Sequence, residues 1–351
     1  PAAVLKGPEA RSFRAELAAI RRDSDAVSKR LAEGGTVQAS EAIGAGSTVK
    51  PKLQDTVRVP IAEGIQLELV RVRQGKFTMG SDYGYLNERP TRQCTIESEF
   101  WMGRYEVTNR QFACFDPSHD SGLETGEQYQ FGDDERGHRL NRPEQPVVRV
   151  SWDEAMAFCR WLSEKTGKPF TLPTELQWEY ACRAGTNTPL WYGDLDSDFS
   201  SYANLSDATH HSVDYPHVPT ALPPWRPADT RFDDRWRVSA AVGMFAPNPW
   251  GLFDMHGNVA EWTRSDYLAY PGGRAAATSS SRRDRKVVRG GSWYDRPRRA
   301  RSAFRLHYRA SQAAHDVGFR VVCAAKHEDG KPAPSSELSS SSFRSDFGDL
   351  D

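Results

Sequence analysis

The chain has 351 residues, with 46 Lys and Arg against 47 Asp and Glu, for a formal net charge of −1. That length suits about two domains, or one large domain with extensions. The neutral balance excludes a global attraction to nucleic acid or to an anionic membrane, and no apolar run approaches the ~20 residues that a transmembrane helix needs. The chain is polar, with 38% hydrophobic residues, yet it holds 27 Gly, 22 Pro and 10 Trp. Glycine and proline punctuate turns, and tryptophan buries much area per residue, so an irregular fold held by aromatic anchors is expected. Five cysteines are too few, and odd in number, for a disulfide scaffold.

In chain order, residues 8–33 read as a helix. Phe13, Leu17, Ile20, Ser24, Val27 and Leu31 recur at alternating spacings of four and three, and Gly34 and Gly35 end the run. Such a stripe packs either on the chain's own globular part or on a partner helix. Residues 34–52, rich in Gly, Ala, Ser and Thr, read as a linker, so 1–52 forms a helical arm. From about Val57 the pattern changes. Ile65, Leu67 and Leu69 alternate with Gln66 and Glu68, as in a half-buried strand.

Three capping boxes then predict helix starts: Thr108 with Gln111, Ser151 with Glu154, and Thr174 with Gln177. In the second helix Ala155, Phe158 and Leu162 form an apolar stripe. In the third, Leu176, Trp178, Tyr180 and Cys182 form the apolar side. Beyond Ala184 turns and short segments run to about Ala325. Gly290 and Gly291 in RGGSW predict positive φ or close backbone approach. In GFRVV, Phe319 and Val321 alternate with Arg320 and Val322, which predicts a closing strand. Residues 327–351, with six acidic and two basic residues, read from composition as a disordered acidic tail.

Two clusters stand out. His210, His211, Asp214 and His217 suggest a loop with surface histidines, a metal site being the alternative. Residues 282–309 carry eleven Lys and Arg against two Asp. They are either ion-paired framework residues or a groove for an oxyanion or acidic peptide, and the acidic tail is an alternative occupant in cis.

Five stretches in order, EVTNRQF (106–112), PVVRVSWDEAMAFCRWL (146–162), TLPTELQWEYACRAG (171–185), NPWGLFDMHGNVAEWTRS (248–265) and VVRGGSW…GFRVV (287–322), closely resemble the sulfatase-modifying-factor family, whose founding member is the formylglycine-generating enzyme. The resemblance covers roughly residues 60–325. It implies an α+β fold, a single loop-rich domain of C-type-lectin-like topology over 57–326, flanked by the arm and the tail.

The resemblance also implies a chemistry. Family enzymes oxidise a cysteine of a sulfatase peptide with Cu(I) held by two thiolates, and Cu(I) prefers sulfur ligands. Counted from Ser292, those positions are Asp295 and Ala300, so copper is not expected. Calcium is expected at two family sites: Asn204, Leu205, Asp234 and Trp236 in one, and Asp254, Gly257, Val259 and Glu261 in the other. The family's disulfide partners of Cys159 and Cys182 fall at Val321 and Arg305, which leaves Cys323, two residues past Val321, as an alternative partner of Cys159. Ser292, Trp293, Tyr294, Asp295, Arg296 and Arg305 align with the floor of the family groove. A catalytically degenerate binding or scaffold subunit is therefore expected. Its ligand would be a peptide or glycan, or it would engage a protein partner through the N-terminal helix and the tail. An oxidase of altered chemistry is the alternative. The calcium sites and the disulfide lean towards an extracytoplasmic compartment.

Overall fold

The computed structural model describes residues 55–124, 138–210, 228–273 and 284–325. The helix expected over 8–33, its linker, the run from His211 to His217 and the acidic tail lie outside the described residues. In chain order the elements are strands β1 (Thr56–Ala62), β2 (Ile65–Val72), β3 (Gly75–Met79), β4 (Arg92–Ile96) and β5 (Phe100–Gly103), helix α1 (Asn109–Phe112), and short strands β6 (Leu123–Glu124) and β7 (His138–Arg139). Helix α2 (Trp152–Thr166), strand β8 (Phe170–Thr171) and helix α3 (Glu175–Arg183) follow. Strands β9 (Ala260–Asp266) and β10 (Arg285–Arg289), helix α4 (Pro297–Ala300), and strands β11 (Leu306–Arg309), β12 (Val317–Gly318) and β13 (Val322–Ala324) complete the chain.

The three expected capping boxes all form, at the starts of α1, α2 and α3. Each closes two backbone N–H groups that a helix terminus would otherwise leave without partners. Gly167, at φ 66°, stops α2 in the left-handed conformation.

A five-stranded antiparallel sheet runs β1-β2-β5-β13-β8, and a four-stranded sheet runs β11-β10-β9-β12 with its β12 edge parallel. Strand β2 explains how the first sheet is covered. Leu67 and Leu69 join a cluster with Phe158 and Leu162 of α2, whereas Val70 and Val72 join a cluster with Trp178 and Cys182 of α3. Side chains alternate across a strand, so odd and even positions serve opposite faces. The sheet is thus packed between α2 on one face and α3 on the other. Among the described residues no helix is long and apolar enough to cross a membrane.

Two expectations are corrected. The closing strand begins at Val322 rather than Phe319, and Phe319, Arg320, Val321 and Val322 are all buried. The alternation was real, but both sides of it face the interior. Cys159 and Cys323 are free thiols. They share one apolar cluster, and Cys323 sits on β13 opposite Trp101 and Phe170. The position of the family partner is filled by buried, apolar Val321.

Phe158 stacks on Phe112 at 5.5 Å and meets Phe319 edge-on at 5.5 Å. Phe158→Ala is expected to lower stability by about 3–5 kcal/mol through the cavity it leaves. Ser151→Ala, which loses only a cap, is expected to cost about 1 kcal/mol. Denaturant unfolding of the two variants checks this order.

Candidate functional site

The centre of the domain is a buried ion pair. Arg320 and Glu261 are both fully enclosed, with the guanidinium lying against both carboxylate oxygens at 2.6–2.9 Å. The other N–H groups of Arg320 reach the carbonyls of Gly103 at 3.1 Å and Phe253 at 2.9 Å. Trp178 of α3 donates its indole N–H to Glu261 at 2.8 Å.

Beside this pair lie two more buried carboxylates. Glu106 accepts from the Asn258 amide at 2.8 Å and from the Val259 N–H at 3.1 Å. Burial, with Asp254 and Glu261 nearby, raises its pKa well above the usual carboxylate value. Asp254, at φ 58°, accepts from the Gly243 N–H at 2.7 Å through Oδ2, while its Oδ1 is enclosed without a partner. Burial pushes its pKa up to about 6. Three carboxylates therefore face one guanidinium.

The expected second set of calcium residues, Asp254 to Glu261, touches the first set directly. Asn258 N–H donates to the Asn204 carbonyl at 2.9 Å, and the Asn204 amide donates to Asn258 Oδ1 at 3.2 Å. Gly257 lies at this crossing with φ 77°, and a Cβ there would stand 2.1 Å from the Asn204 carbonyl oxygen. Only glycine fits. Asn204 Oδ1 is buried and has no partner. Asp234 accepts from the Leu205 and Trp236 N–H groups at 2.7 and 2.8 Å. Burial and the neighbouring Asp207 carboxyl raise its pKa to about 8.

The segment after RGGS is fastened to this centre. Gly257 N–H donates to the Gly290 carbonyl at 3.0 Å, and Trp293 N–H to the Asn258 carbonyl at 3.0 Å. Gly290 and Gly291 have φ 93° and 70°, as their pairing suggested. Of the residues aligned with a groove floor, Ser292, Trp293, Asp295 and Arg305 are buried, Tyr294 is half-buried and Arg296 is exposed. The structure thus removes the first four from the accessible surface. Arg305 holds Glu175 through two hydrogen bonds of 2.5 and 3.0 Å. Arg301 holds Glu88 through two of 2.7 Å, and Arg289 pairs with Glu179. Three of the eleven basic residues are therefore buried counter-ions, as the framework reading requires.

The chain matches the sulfatase-modifying factor enzyme 1-like domain over residues 61–325. It belongs to that family. The bovine formylglycine-generating enzyme is 29% identical over 309 residues, covering 74% of this chain and 75% of that protein. The bovine inactive C-alpha-formylglycine-generating enzyme 2 is 26% identical, covering 77% and 93%. Among solved structures, PvdO from Pseudomonas aeruginosa superposes with a TM-score of 0.58 at 24% identity, covering 77% of this chain and 98% of that one.

Within the sulfatase-modifying factor frame, Asp295 and Ala300 are both buried. Asp295 is fastened to its own turn, accepting from the Ser292 N–H at 3.2 Å and pairing with Arg299 at 3.1 Å. Burial raises its pKa to about 6. The carbonyl of Ala300 accepts at 2.6 Å from His256 Nδ1, while His256 Nε2 accepts from the Trp191 N–H at 3.0 Å. These partners fix a neutral tautomer, and burial lowers the His256 pKa to about 4. Cys182 lies 3.7 Å from this imidazole, and burial pushes its thiol up to about 12. That is a protonated, enclosed sulfur rather than a thiolate ligand.

Sequence reasoning missed Glu106, Asp207 and Arg320 as members of the centre. Glu106 and Arg320 stood inside quoted motifs, but nothing local marked them as buried.

Arg320→Ala leaves three carboxylates enclosed without their guanidinium. The expected loss is about 3–5 kcal/mol, measured by denaturant unfolding; a loss below 1 kcal/mol would show that water reaches this centre.

Proposed function

We propose that this protein is a member of the sulfatase-modifying factor family that has lost copper-thiolate chemistry and acts as a binding or accessory scaffold subunit. One observation carries the reading: the two positions that supply thiolates in the family hold Asp295 and Ala300. A carboxylate is a hard oxygen donor and alanine offers no donor, so this pair does not fit Cu(I). The similarity to a relative described as inactive supports the reading.

Calcium fits better. The enclosed, unpartnered oxygens Asn204 Oδ1 and Asp254 Oδ1 are the kind of hard donor that Ca²⁺ takes. Asn204 and Asp234, with the carbonyls of Leu205 and Trp236, would hold one ion. Asp254, with the carbonyls of Gly257 and Val259, would hold a second. Glu261 is committed to Arg320 and Trp178 through both oxygens and would contribute mainly charge. The ions would neutralise excess buried carboxylate and stiffen the crossing at Gly257 that supports the RGGS segment.

Two experiments test this. Full-length protein incubated with Cu(I) and a CxPxR peptide is expected to leave the peptide cysteine unchanged by mass spectrometry; conversion to formylglycine overturns the proposal.

The second concerns pH. The pKa values of Asp254 and Asp234 are raised to about 6 and about 8, against about 4 in an unfolded chain. The metal-free native state therefore keeps protons that the unfolded state releases, and these groups subtract stability as pH rises from about 4 to about 8. Calcium requires the ionised forms. Millimolar calcium is thus expected to raise Tm at pH 8 and to do little at pH 5, with the increment smaller in Asp234→Asn. Equal Tm with and without calcium at pH 8 removes the ion from the scheme.

A further inference from the structure

Among the described residues the exposed large apolar side chains are Tyr83, Tyr85, Leu86 and Leu268, at 98, 41, 67 and 60% exposure. They are not scattered. The first three lie on the turn between β3 and β4, and buried Arg305 joins that turn to the fourth. Its guanidinium donates to the Asn87 carbonyl at 2.7 Å and to the Leu268 carbonyl at 2.9 Å. The Asn87 amide meets the Tyr267 hydroxyl at 2.9 Å. The patch is also propped from beneath. Tyr85 packs edge-on against Phe304 at 5.7 Å, and Glu88 holds Arg301 in a buried bidentate pair. An apolar patch on so well-anchored a base marks an interaction surface.

Its rim is net cationic: Arg89, Arg298 and Arg299 are exposed, with Asp82 beside Arg89 and Asp295 paired to Arg299. Arg298 lies 5.4 Å over the Tyr85 ring, and Arg299 lies 5.5 Å over Phe304. The surface therefore asks for a segment that combines aromatic or aliphatic side chains with carboxylates.

We propose that the occupant is residues 343–350 of this same chain, Phe-Arg-Ser-Asp-Phe-Gly-Asp-Leu. Phe343, Phe347 and Leu350 recur at spacings of four and three, the spacing of an amphipathic segment laid into a groove. They cover Tyr83, Leu86 and Leu268, while Asp346 and Asp349 face the arginine rim. Seventeen residues separate Ala325 from Phe343, enough to span roughly 60 Å when extended, against a domain diameter of roughly 45 Å. The tail carries six acidic and two basic residues, and segment 343–350 itself has two Asp against Arg344, so its net charge is opposite to that of the rim. The docking is independent of the copper reading, since an active enzyme with this surface would bind the same segment.

Hydrogen exchange on the full-length protein tests it. Peptides covering 81–89 and 343–350 are expected to exchange about tenfold more slowly in the wild type than in Leu86→Ser/Leu268→Ser. The same loss of protection is expected in Phe343→Ser/Phe347→Ser, which leaves the described surface untouched. Protection independent of protein concentration and weakened at about 0.5 M salt supports docking in cis. Exchange of 343–350 in the wild type at the rate of a free peptide overturns the proposal. So does protection of 81–89 that survives the tail substitutions and grows with concentration, which would assign the patch to a second copy.

Discussion

The fold depends on one enclosed ion pair, Arg320 with Glu261. Neither residue reaches solvent. Enclosing a charge is costly unless partner and hydrogen bonds replace water. Here they do, because the guanidinium engages a carboxylate and two carbonyls, and the carboxylate also takes an indole N–H. The pair links the paired strands β5 and β13 of one sheet to β9 of the other, to helix α3 and to the loop at Phe253. In a chain with so many turns, this polar centre performs the ordering that a continuous sheet performs elsewhere. A buried pair is weak evidence of net stabilisation, since a well-packed apolar replacement can do as well. What it supplies is a single arrangement, because any other placement strands a charge.

A second set of buried pairs works on the same principle. Glu179 meets Arg183 and Arg289, Glu175 meets Arg305, and Glu88 meets Arg301. Glu179 also accepts the Gly80 N–H at 2.8 Å. The turn between β3 and β4, which has little secondary structure of its own, is thereby bound to α3 and to the segment after RGGS. Apart from the i,i+4 pair of Glu179 with Arg183, these glutamates meet arginines far away in sequence and hold loops in place, and the charges largely cancel. The unbalanced carboxylates are elsewhere, at Glu106, Asp254 and Asp234, so an external cation has a physical reason to enter there and not here.

Much of this was legible, and what was legible was local. A capping box needs residues three apart, and all three formed. The alternation in β2 and the apolar stripes of α2 and α3 follow from periods of two and 3.6 residues; most of the positions they marked are buried, while Ile65 and Leu176 are half-buried. The RGGS glycines took the backbone conformations their pairing suggested. Arg320 was not legible, because its burial depends on a carboxylate 59 positions away. On pattern alone an arginine between two apolar residues belongs on the outer face of a strand. Arg305 misled for the same reason: as sequence it was one of eleven basic residues, and as structure it is the counter-ion of Glu175. The Asp254 to Glu261 motif was recognised, but its contact with Asn204 is tertiary. The Cys159–Cys323 disulfide did not form: both are free thiols within one apolar cluster.

Under the proposed reading, the separation between framework and chemistry accounts for a family fold that stands without thiolates at 295 and 300. Gly291 is pressed against the turn of α4, where an added Cβ would lie 2.9 Å from the Arg299 carbonyl oxygen and 3.1 Å from the Ala300 Cα. Trp293 is anchored through its backbone to Asn258, and the Asp295 carbonyl accepts the Ser206 N–H at 2.9 Å. None of these contacts uses the side chain of position 295 or 300. A thiolate at 295 can therefore be replaced by a carboxylate that turns back to Ser292 and Arg299, and one at 300 by a methyl group that packs with Phe199, Ala203 and Leu205.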